Sequence, residues 1–377
     1  MSNIPNYELW SYQPTPFAPK PQAQRPASHR PEQQPRLAPQ PFARLNRAAF
    51  ANLSPIDQIL FQHFGVGRAS APAYDTMHEA FTAQAIAQPG AIAAEHLGQQ
   101  ISYGELNRQA ERLAAHLATL GVQPGDNVAL FLQRSIPMLV GIMAILKAGA
   151  AYVPQHAGVA PEAQLRHILA VANIRVVLTL SHLQETVPCP DGCLLLCIDE
   201  FMATADGESA GPFSPARPAH RDDNCFILFT SGTTGPPNGV QVTHGNVANI
   251  ILTEPGRLGM APGRRVGQIL SIAFDMAAWE ILGSLAHGAT LVIRGKEFAP
   301  VIESVDVIIA TPTILSGFDA ERCQQARFVA VAGEPCPRPL ADKWARFCTF
   351  YNACGPTETT IVNTMLPHRP DKDRLTI

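Results

Sequence analysis

Residues 229–240 read FTSGTTGPPNGV, and this stretch decides how the chain is interpreted. It combines glycines with small hydroxyl side chains and lies between the apolar run 225–228 and a segment that opens at His244. Glycine leaves backbone N–H groups accessible, and such groups bind phosphate oxygens together with neighbouring hydroxyls. The stretch therefore predicts a phosphate-binding loop after a strand, with a nucleoside triphosphate as ligand. The predicted contacts are Thr230, Ser231, Gly232, Thr233, Thr234, Gly235 and Gly239.

Two other interpretations of this loop need comparison. A P-loop requires a lysine and a hydroxyl residue directly after its last glycine, whereas Gly235 is followed by Pro-Pro-Asn-Gly, so that interpretation fails. A plain polar surface loop remains open for the segment taken alone, because small polar residues and proline are common in loops.

Short apolar runs alternate with helical patterns along the chain. Ser102 lies three residues before Glu105, which is the spacing of a helix cap, and leucines then recur at helical intervals up to Gly121. Residues 136–153 are divided by Gly149 into a predicted helix and a predicted strand. Such repeated units predict an α/β fold with mostly parallel strands covered by helices. Further strands are predicted at 128–132, 176–180, 226–229, 290–293, 305–310 and 328–332.

Composition separates the first fifty residues from the rest. They contain ten of the 34 prolines and six Lys or Arg against two Asp or Glu, while the whole chain of 377 residues has a net charge of −3. We predict a disordered tail over 1–50, a lead-in over 51–75 and a folded core over 76–377. A peptide-docking role for the tail is the alternative.

The same composition restricts location and partners. The N-terminus has neither a basic start nor an apolar core typical of a secretory signal, so we expect a cytoplasmic protein with eight reduced cysteines. The charge favours no nucleic-acid partner, and the broken pattern of 136–153 favours a buried element over a membrane span.

Six stretches occur in the order typical of one superfamily. They are ISYGELN (101–107), LKAGAAYVPQ (146–155), FTSGTTGPPNGV (229–240), FDMAAWE (274–280), AGEPCP (332–337) and NACGPTE (352–358). In these motifs the chain resembles the adenylate-forming (AMP-binding) superfamily, and within it the amino-acid adenylation domains of nonribosomal peptide synthetases. The resemblance implies a layered α/β/α large domain with two βα sheet subdomains.

The resemblance also implies a reaction and its cofactors. A substrate carboxylate attacks the α-phosphorus of ATP, which gives an aminoacyl adenylate and pyrophosphate, and a phosphopantetheine thiol on a partner carrier protein then accepts the acyl group. A single carboxylate with waters is a common arrangement for Mg²⁺, and Glu358 is the carboxylate best placed to provide it. By resemblance, Thr357 holds the α-phosphate and Glu358 holds Mg²⁺ as the catalytic pair. The remaining predicted nucleotide contacts are Gly333, Glu334, Asn352 and Gly355. A plain turn at 355–356 is the alternative for this motif.

Asp275 is a lone acid among apolar neighbours in FDMAAWE. A carboxylate in such surroundings is costly unless it meets a cation, and an ammonium group is a natural partner. A helix N-cap is the other interpretation. The resemblance implies that Asp275 binds the substrate α-amino group and that the other pocket positions are apolar, which favours an apolar or aromatic side chain. These positions are Met276, Trp279, Ile309, Ala330, Ala332, Ala353, Ile361 and Val362.

Three departures from the family pattern oppose activity. Asn238 replaces a lysine in the phosphate loop, and Cys354 replaces an aromatic residue that stacks on adenine in the family. The sequence also stops before the barrel is completed, before the ribose-binding aspartate and before the small C-terminal domain with its catalytic lysine. We therefore expect little activity from this chain alone, with a complementing C-terminal domain as a candidate partner. The alternatives are a non-catalytic nucleotide-binding or amino-acid-binding descendant, and an acyl-CoA or aryl-CoA ligase, for which Asp275 is the wrong residue.

Overall fold

The computed structural model describes residues 53–64, 70–156, 158–204, 213–230 and 236–370. The contacts divide the chain into two units that meet between Ala69 and Ser70. The described residues of the first unit form helix α1 (Pro55–Phe64), which begins where the Ser54 hydroxyl accepts a hydrogen bond of 3.1 Å from the backbone N–H of Asp57. The tail predicted for residues 1–50 lies outside the described residues, and the predicted domain limits remain predictions.

The second unit contains fourteen strands among its described residues. An eight-stranded sheet has the order β14-β13-β12-β11-β9-β10-β1-β2, and a six-stranded sheet has the order β6-β5-β3-β4-β7-β8. The strands are β1 (Ile92–His96), β2 (Gln99–Ser102), β3 (Asn127–Leu132), β4 (Ala151–His156), β5 (Val176–Thr179), β6 (Leu194–Cys197), β7 (Asn224–Thr230), β8 (Asn238–Thr243), β9 (Arg265–Gln268), β10 (Thr290–Ile293), β11 (Val307–Ala310), β12 (Phe328–Val331), β13 (Thr349–Cys354) and β14 (Thr364–Pro367).

Most neighbouring strands run parallel, as the sequence predicts. The antiparallel pairs are β1 with β2, β13 with β14, and β7 with β8, so the antiparallel partners β2, β14 and β8 each lie at a sheet edge. Parallel strands need crossover helices, and the helices cover the sheet faces. They are α2 (Met77–Ala87), α3 (Tyr103–Thr119), α4 (Ile136–Lys147), α5 (Glu162–Val171), α6 (Ile198–Ala203), α7 (His244–Ile251), α8 (Asp275–Ala286), α9 (Ala299–Ile302), α10 (Pro312–Ser316) and α11 (Arg338–Trp344).

Two buried helices join the sheets into one layered core. Helix α4 packs on β1 of the larger sheet and on β3 and β4 of the smaller one, while α8 packs on α2 and on β9, β10 and β11. The α/β fold with two sheet layers is therefore confirmed.

The most apolar part of the sequence divides as predicted. Helix α4 ends at Lys147, Gly149 takes a φ of 78°, and β4 follows, so residues 136–153 form a buried helix and strand. Within the described ranges we find no helix with the length and apolarity needed to cross a bilayer. Helix α3 begins as its cap predicts, because the Ser102 hydroxyl accepts a bond of 3.2 Å from the Glu105 N–H.

Candidate active site

The predicted motifs follow the carboxyl ends of parallel strands. Gly333 lies just beyond β12, residues 355–358 follow β13, and Asp275 follows β9 after a short connection. Thr230 is the last residue of β7 in the smaller sheet, and β8 contacts the 3₁₀ turn Thr357–Thr359. Ligands of open α/β sheets bind at such carboxyl ends. The β7–β8 hairpin of the smaller sheet and the 3₁₀ turn that follows β13 of the larger sheet therefore lie side by side.

The phosphate loop is only partly described. Ser231, Gly232, Thr233, Thr234 and Gly235 lie outside the described residues. Thr230 pairs with Asn238 where β7 and β8 form a hairpin. Gly239 lies on β8, where an added Cβ would come within 3.1 Å of Ile227 Cγ2 and Phe229 Cζ, so glycine permits the close packing of this hairpin.

Asp275 is the first residue of α8, and Phe274 occupies the cap position with an extended backbone. The N-cap interpretation of Asp275 is therefore wrong. Its Oδ2 is buried and finds no hydrogen-bond partner among the described residues. Burial raises the pKa of the Asp275 carboxyl, while the nearby Thr357 hydroxyl and the backbone N–H groups of Met276 and Ile361 oppose the rise. A buried carboxylate oxygen without a partner fits a site that receives a cation.

Four of the apolar positions predicted for the pocket share one face of the larger sheet. Ile309, Ala330 and Tyr351 are in register on β11, β12 and β13, and Ala332 and Ala353 lie two residues further along the same face. Helix α8 covers this sheet, and the Trp279 indole N–H donates to Gly256 O at 2.6 Å. The indole nitrogen is therefore already bonded, and the wall that it forms is apolar toward a ligand. All eight predicted apolar positions are buried, with exposures of at most 7%: Met276, Trp279, Ile309, Ala330, Ala332, Ala353, Ile361 and Val362.

The GPTE turn is tight and strained. A Cβ on Gly355 would lie 2.6 Å from Val362 Cα, so only glycine permits this approach. The Asn363 N–H donates to Cys354 O at 2.9 Å and closes the turn. Thr360 and Ile361 have φ angles of 69° and 60°, which are unfavourable for β-branched residues. Such strain persists where surrounding structure enforces it, and it often marks functional sites.

The remaining predicted residues lie around this turn. Glu358 is exposed within the 3₁₀ turn, and Asn352 is buried on the β13 face opposite to Ala353. Glu334 accepts hydrogen bonds from the Thr313 N–H at 3.0 Å and from the Thr313 hydroxyl at 2.5 Å. Gly333 has a φ of 86°. Among the residues that the structure describes, no group of three His, Cys, Asp or Glu side chains could hold a metal ion by itself. One exposed carboxylate fits Mg²⁺, which usually keeps several waters and binds substrate phosphates.

A second acid on α8 was not among the residues predicted for the site. Glu280 is fully buried and binds the segment that connects β9 to α8, together with Arg134 and Arg294. The sequence contains a signal for this role of Glu280, because Glu280 and Asp275 are the two charged residues of a largely apolar helix. A buried charge requires partners, and sequence does not reveal which partners the fold supplies.

Comparison with known proteins identifies the family. The sequence profile described as "AMP-binding enzyme" matches residues 81–377, which is more than half of the chain. The chain belongs to the AMP-binding enzyme family. The family and the α/β fold with two sheets are therefore those that the sequence predicts.

Curated relatives of this AMP-binding protein include reductases and peptide synthetases. It is 43% identical over 326 residues to adenylate-forming reductase 03009 of Coprinopsis cinerea, a match that covers 85% of this chain and 31% of that protein. It is 32% identical over 300 residues to tyrocidine synthase 1 of Brevibacillus parabrevis, covering 77% of this chain and 27% of that protein. The chain thus spans about a third or less of the length of these relatives.

Solved structures share the fold. The AMPPNP-bound form of the nonribosomal peptide synthetase FmoA3 superposes with a TM-score of 0.74 at 26% identity, covering 83% of this chain and 35% of that chain. The Klebsiella oxytoca NpsA N-terminal subdomain, solved with 3-hydroxybenzoyl-AMSN, gives a TM-score of 0.68 at 25% identity. That match covers 78% of this chain and 76% of the subdomain.

Proposed function

We propose that this chain binds ATP and an amino acid with an apolar side chain and forms part of an enzyme that joins them as an aminoacyl adenylate. The observation that carries the proposal is the buried Oδ2 of Asp275 beside the GPTE turn, which has no hydrogen-bond partner in the part of the chain that the structure describes. A substrate ammonium group would satisfy this oxygen. Family membership supports the adenylation chemistry, and the apolar sheet face supports an apolar side chain.

The residues of the candidate site have distinct roles in this proposal. Asp275 holds the ammonium group and thereby orients the substrate carboxylate toward the α-phosphorus of ATP. Thr357 donates its hydroxyl to the α-phosphate, and Glu358 would hold Mg²⁺, which supplies positive charge against the phosphates when bound. The carboxylate oxygen then bonds to phosphorus while the bond to pyrophosphate breaks. A phosphopantetheine thiol on a carrier protein is the proposed acceptor of the acyl group, with AMP as the leaving group.

The test uses stable adenylate analogues in place of turnover. Aminoacyl sulfamoyl adenosines of phenylalanine, leucine, valine and alanine, each with its deaminated counterpart, are titrated by calorimetry. We expect one amino analogue to bind about 10–100-fold more tightly than its deaminated form, since a hydrogen bond to a charged group contributes about 1.5–3 kcal/mol.

Asp275→Asn provides the decisive variant for the proposed function. The preference for the amino analogue should disappear, while the affinity for the deaminated form stays within about twofold. Equal binding of both forms by the unaltered chain would instead favour an acyl-activating or aryl-activating relative. Absence of binding by every analogue would contradict the proposal.

A second candidate concerns the fate of the adenylate. The match to an adenylate-forming reductase, at 43% identity, is stronger than the match to tyrocidine synthase 1, at 32%. In this candidate the activated acyl group is reduced by a hydride donor and is not passed into a peptide. Aldehyde formation by the full natural polypeptide with ATP, substrate and NADPH tests this candidate.

A further inference from the structure

Glu280 binds the backbone of the segment that leads to Asp275. Its Oε1 accepts the N–H of Ile269 at 3.0 Å and the N–H of Leu270 at 3.3 Å. Gln268 Nε2 donates to Oε2 at 3.1 Å. The side chains of Glu280 and Gln268 are both fully buried. Three donors therefore converge on one carboxyl group, and both of its oxygens are used.

Two arginines bind the carbonyl groups of the same two residues. Arg294 Nε donates to Ile269 O at 2.7 Å, and Arg134 Nε donates to Leu270 O at 3.0 Å. Arg294 follows β10 of the larger sheet, whereas Arg134 follows β3 of the smaller sheet. The N–H and C=O groups of both residues are thus held by side chains from three separate parts of the chain. We call Glu280, Arg134 and Arg294 the segment clamp.

The clamped residues lie close to Asp275 along the chain. Residues 269–274 connect β9 to α8, and Asp275 is the next residue. Within this segment the Phe274 N–H donates to Ser271 O at 3.0 Å and closes a compact turn. A shift of Leu270 would therefore also move the start of the helix. A displacement of about 1 Å in a positioning group can cost about 100-fold in rate.

We propose that Glu280 is a positioning residue which, with Arg134 and Arg294, holds residues 269–274 so that Asp275 presents its free oxygen to the substrate ammonium group. The ligand named here rests on the proposed function, whereas the hold on the segment does not. Asp275 touches the substrate in this scheme, and Glu280 acts through the backbone.

The chemistry of the site explains why an acid is suited to this role. Burial raises the pKa of Glu280 to about 8, although bonds from Ile269, Leu270 and Gln268 and the charge of Arg134 oppose the rise. A glutamine in its place would offer one acceptor oxygen to three donors. At least one backbone N–H would then lose its partner, which weakens the hold on the segment.

The test compares Glu280→Gln with a matched control. Tyr103→Phe removes a buried hydroxyl that donates to Ala289 O at 2.7 Å and to Ser284 O at 3.2 Å, at the opposite end of α8. Amide hydrogen exchange of the unliganded whole chain is measured over residues 269–275, and urea unfolding gives the global stability of each variant. We expect Glu280→Gln to raise exchange in this segment at least about tenfold, and Tyr103→Phe to leave it unchanged at similar global stability.

Binding then separates positioning from support of the fold. The amino analogue preferred by the unaltered chain should bind Glu280→Gln about tenfold more weakly, and Asp275→Asn should cost less in that background than alone. Unchanged exchange, or raised exchange with unchanged affinity and additive effects, overturns the positioning role. Should Glu280→Gln fail to fold, Arg134→Lys is measured in the same way, because it keeps the charge and changes the geometry of the bond to Leu270. If the unaltered chain binds no analogue, the proposed function fails, and the exchange data alone decide whether Glu280 holds the segment.

Discussion

The two carboxyl groups of the FDMAAWE stretch differ in how their oxygens are hydrogen-bonded. Asp275 and Glu280 lie five residues apart on α8, and the burial of both raises their pKa values. Glu280 has both oxygens bonded, whereas Asp275 keeps a buried oxygen without a partner among the described residues. Eight buried side-chain atoms of the described residues lack a hydrogen-bond partner, and Asp275 Oδ2 is the carboxylate oxygen among them. A buried carboxylate oxygen carries the largest cost of the eight, so it marks a site that a cationic ligand would complete. The satisfied acid belongs to the framework that holds that site.

Two other buried polar groups, Lys147 and His244, have hydrogen-bond partners inside the core, as Glu280 does. Lys147 donates to Thr82 Oγ1 at 2.9 Å and pairs with Glu111 at 3.3 Å. His244 Nδ1 accepts the Met77 N–H at 3.3 Å while its ring is 1% exposed. These groups lie between helices of the core and are satisfied internally, so they stabilise the fold and face no ligand.

The largest expected effect is a difference in the free energy of unfolding between a Glu280 variant and an Asp275 variant. Glu280→Ala leaves the backbone N–H groups of Ile269 and Leu270 buried without their acceptor, so the free energy of unfolding should fall by about 3–5 kcal/mol. Asp275→Asn removes a buried, poorly paired charge and should change that free energy by less than about 1 kcal/mol in the absence of ligand. Urea unfolding of the two variants checks both values. Equal losses of stability in the two variants would contradict the assignment of Glu280 to the framework and of Asp275 to the ligand site.

The second prediction concerns acid sensitivity of the framework. Burial lowers the pKa of His244 to about 4 and that of His78 to about 3, compared with about 6.5 in an unfolded chain. The unfolded state then binds more protons than the folded state below pH 6.5. This contribution to stability is complete above that pH and is lost as the pH falls toward 4.

His244→Asn removes one of the two titrating rings and keeps a polar side chain. Between pH 6.5 and 4 the variant should lose less stability than the unaltered chain, by on the order of 2 kcal/mol. Chemical unfolding at several pH values measures this difference, and His220→Asn, at a mostly exposed residue, serves as the control. A pH dependence identical to that of the unaltered chain would remove His244 from the acid-sensitive framework.

The third prediction concerns the contact between position 354 and the adenine base of the ligand. Cys354 is exposed at the end of β13, and the side chain of Tyr351 lies on the opposite strand face together with Ala353. Tyr351 therefore does not replace an aromatic residue at position 354. Cys354→Tyr should raise the affinity for adenine nucleotides about tenfold, because stacking on a base contributes about 1–3 kcal/mol. Calorimetry with ATP and Mg²⁺ measures this gain, and the exposed Cys189→Tyr should show none.

The smallest expected effect lies outside the site. Leu97 has a φ of 49° and is 77% exposed in the turn between β1 and β2, where Gly98 has a φ of 82°. Asparagine tolerates this backbone region better than leucine, so Leu97→Asn should raise the free energy of unfolding by about 0.5–1 kcal/mol. Urea unfolding and analogue binding check this variant together. A change in ligand affinity would show that backbone strain in this turn is coupled to the site.

Sequence patterns predicted much of the fold because local periodicity reflects burial. The run 290–293 coincides with β10, and the runs 128–132 and 176–180 differ from β3 and β5 by one residue at one end. Strands β1 and β9 were missed because IAAEH and RVGQ contain alanine, glycine and charged residues. These strands are stabilised by neighbours distant in sequence, and propensity does not register such contacts.

The sequence by itself determined the family, the α/β class and the order of the motifs, since these depend on residue types and spacing along the chain. Only the tertiary structure decided which oxygen of Asp275 stays unpaired and which backbone groups Glu280 holds. It also decided that Arg134, from the smaller sheet, reaches Leu270 beside the larger one. The physical reason is that the cost of a buried charge depends on where its partners lie in space, and residues 134, 270 and 280 become neighbours only after both sheets have formed.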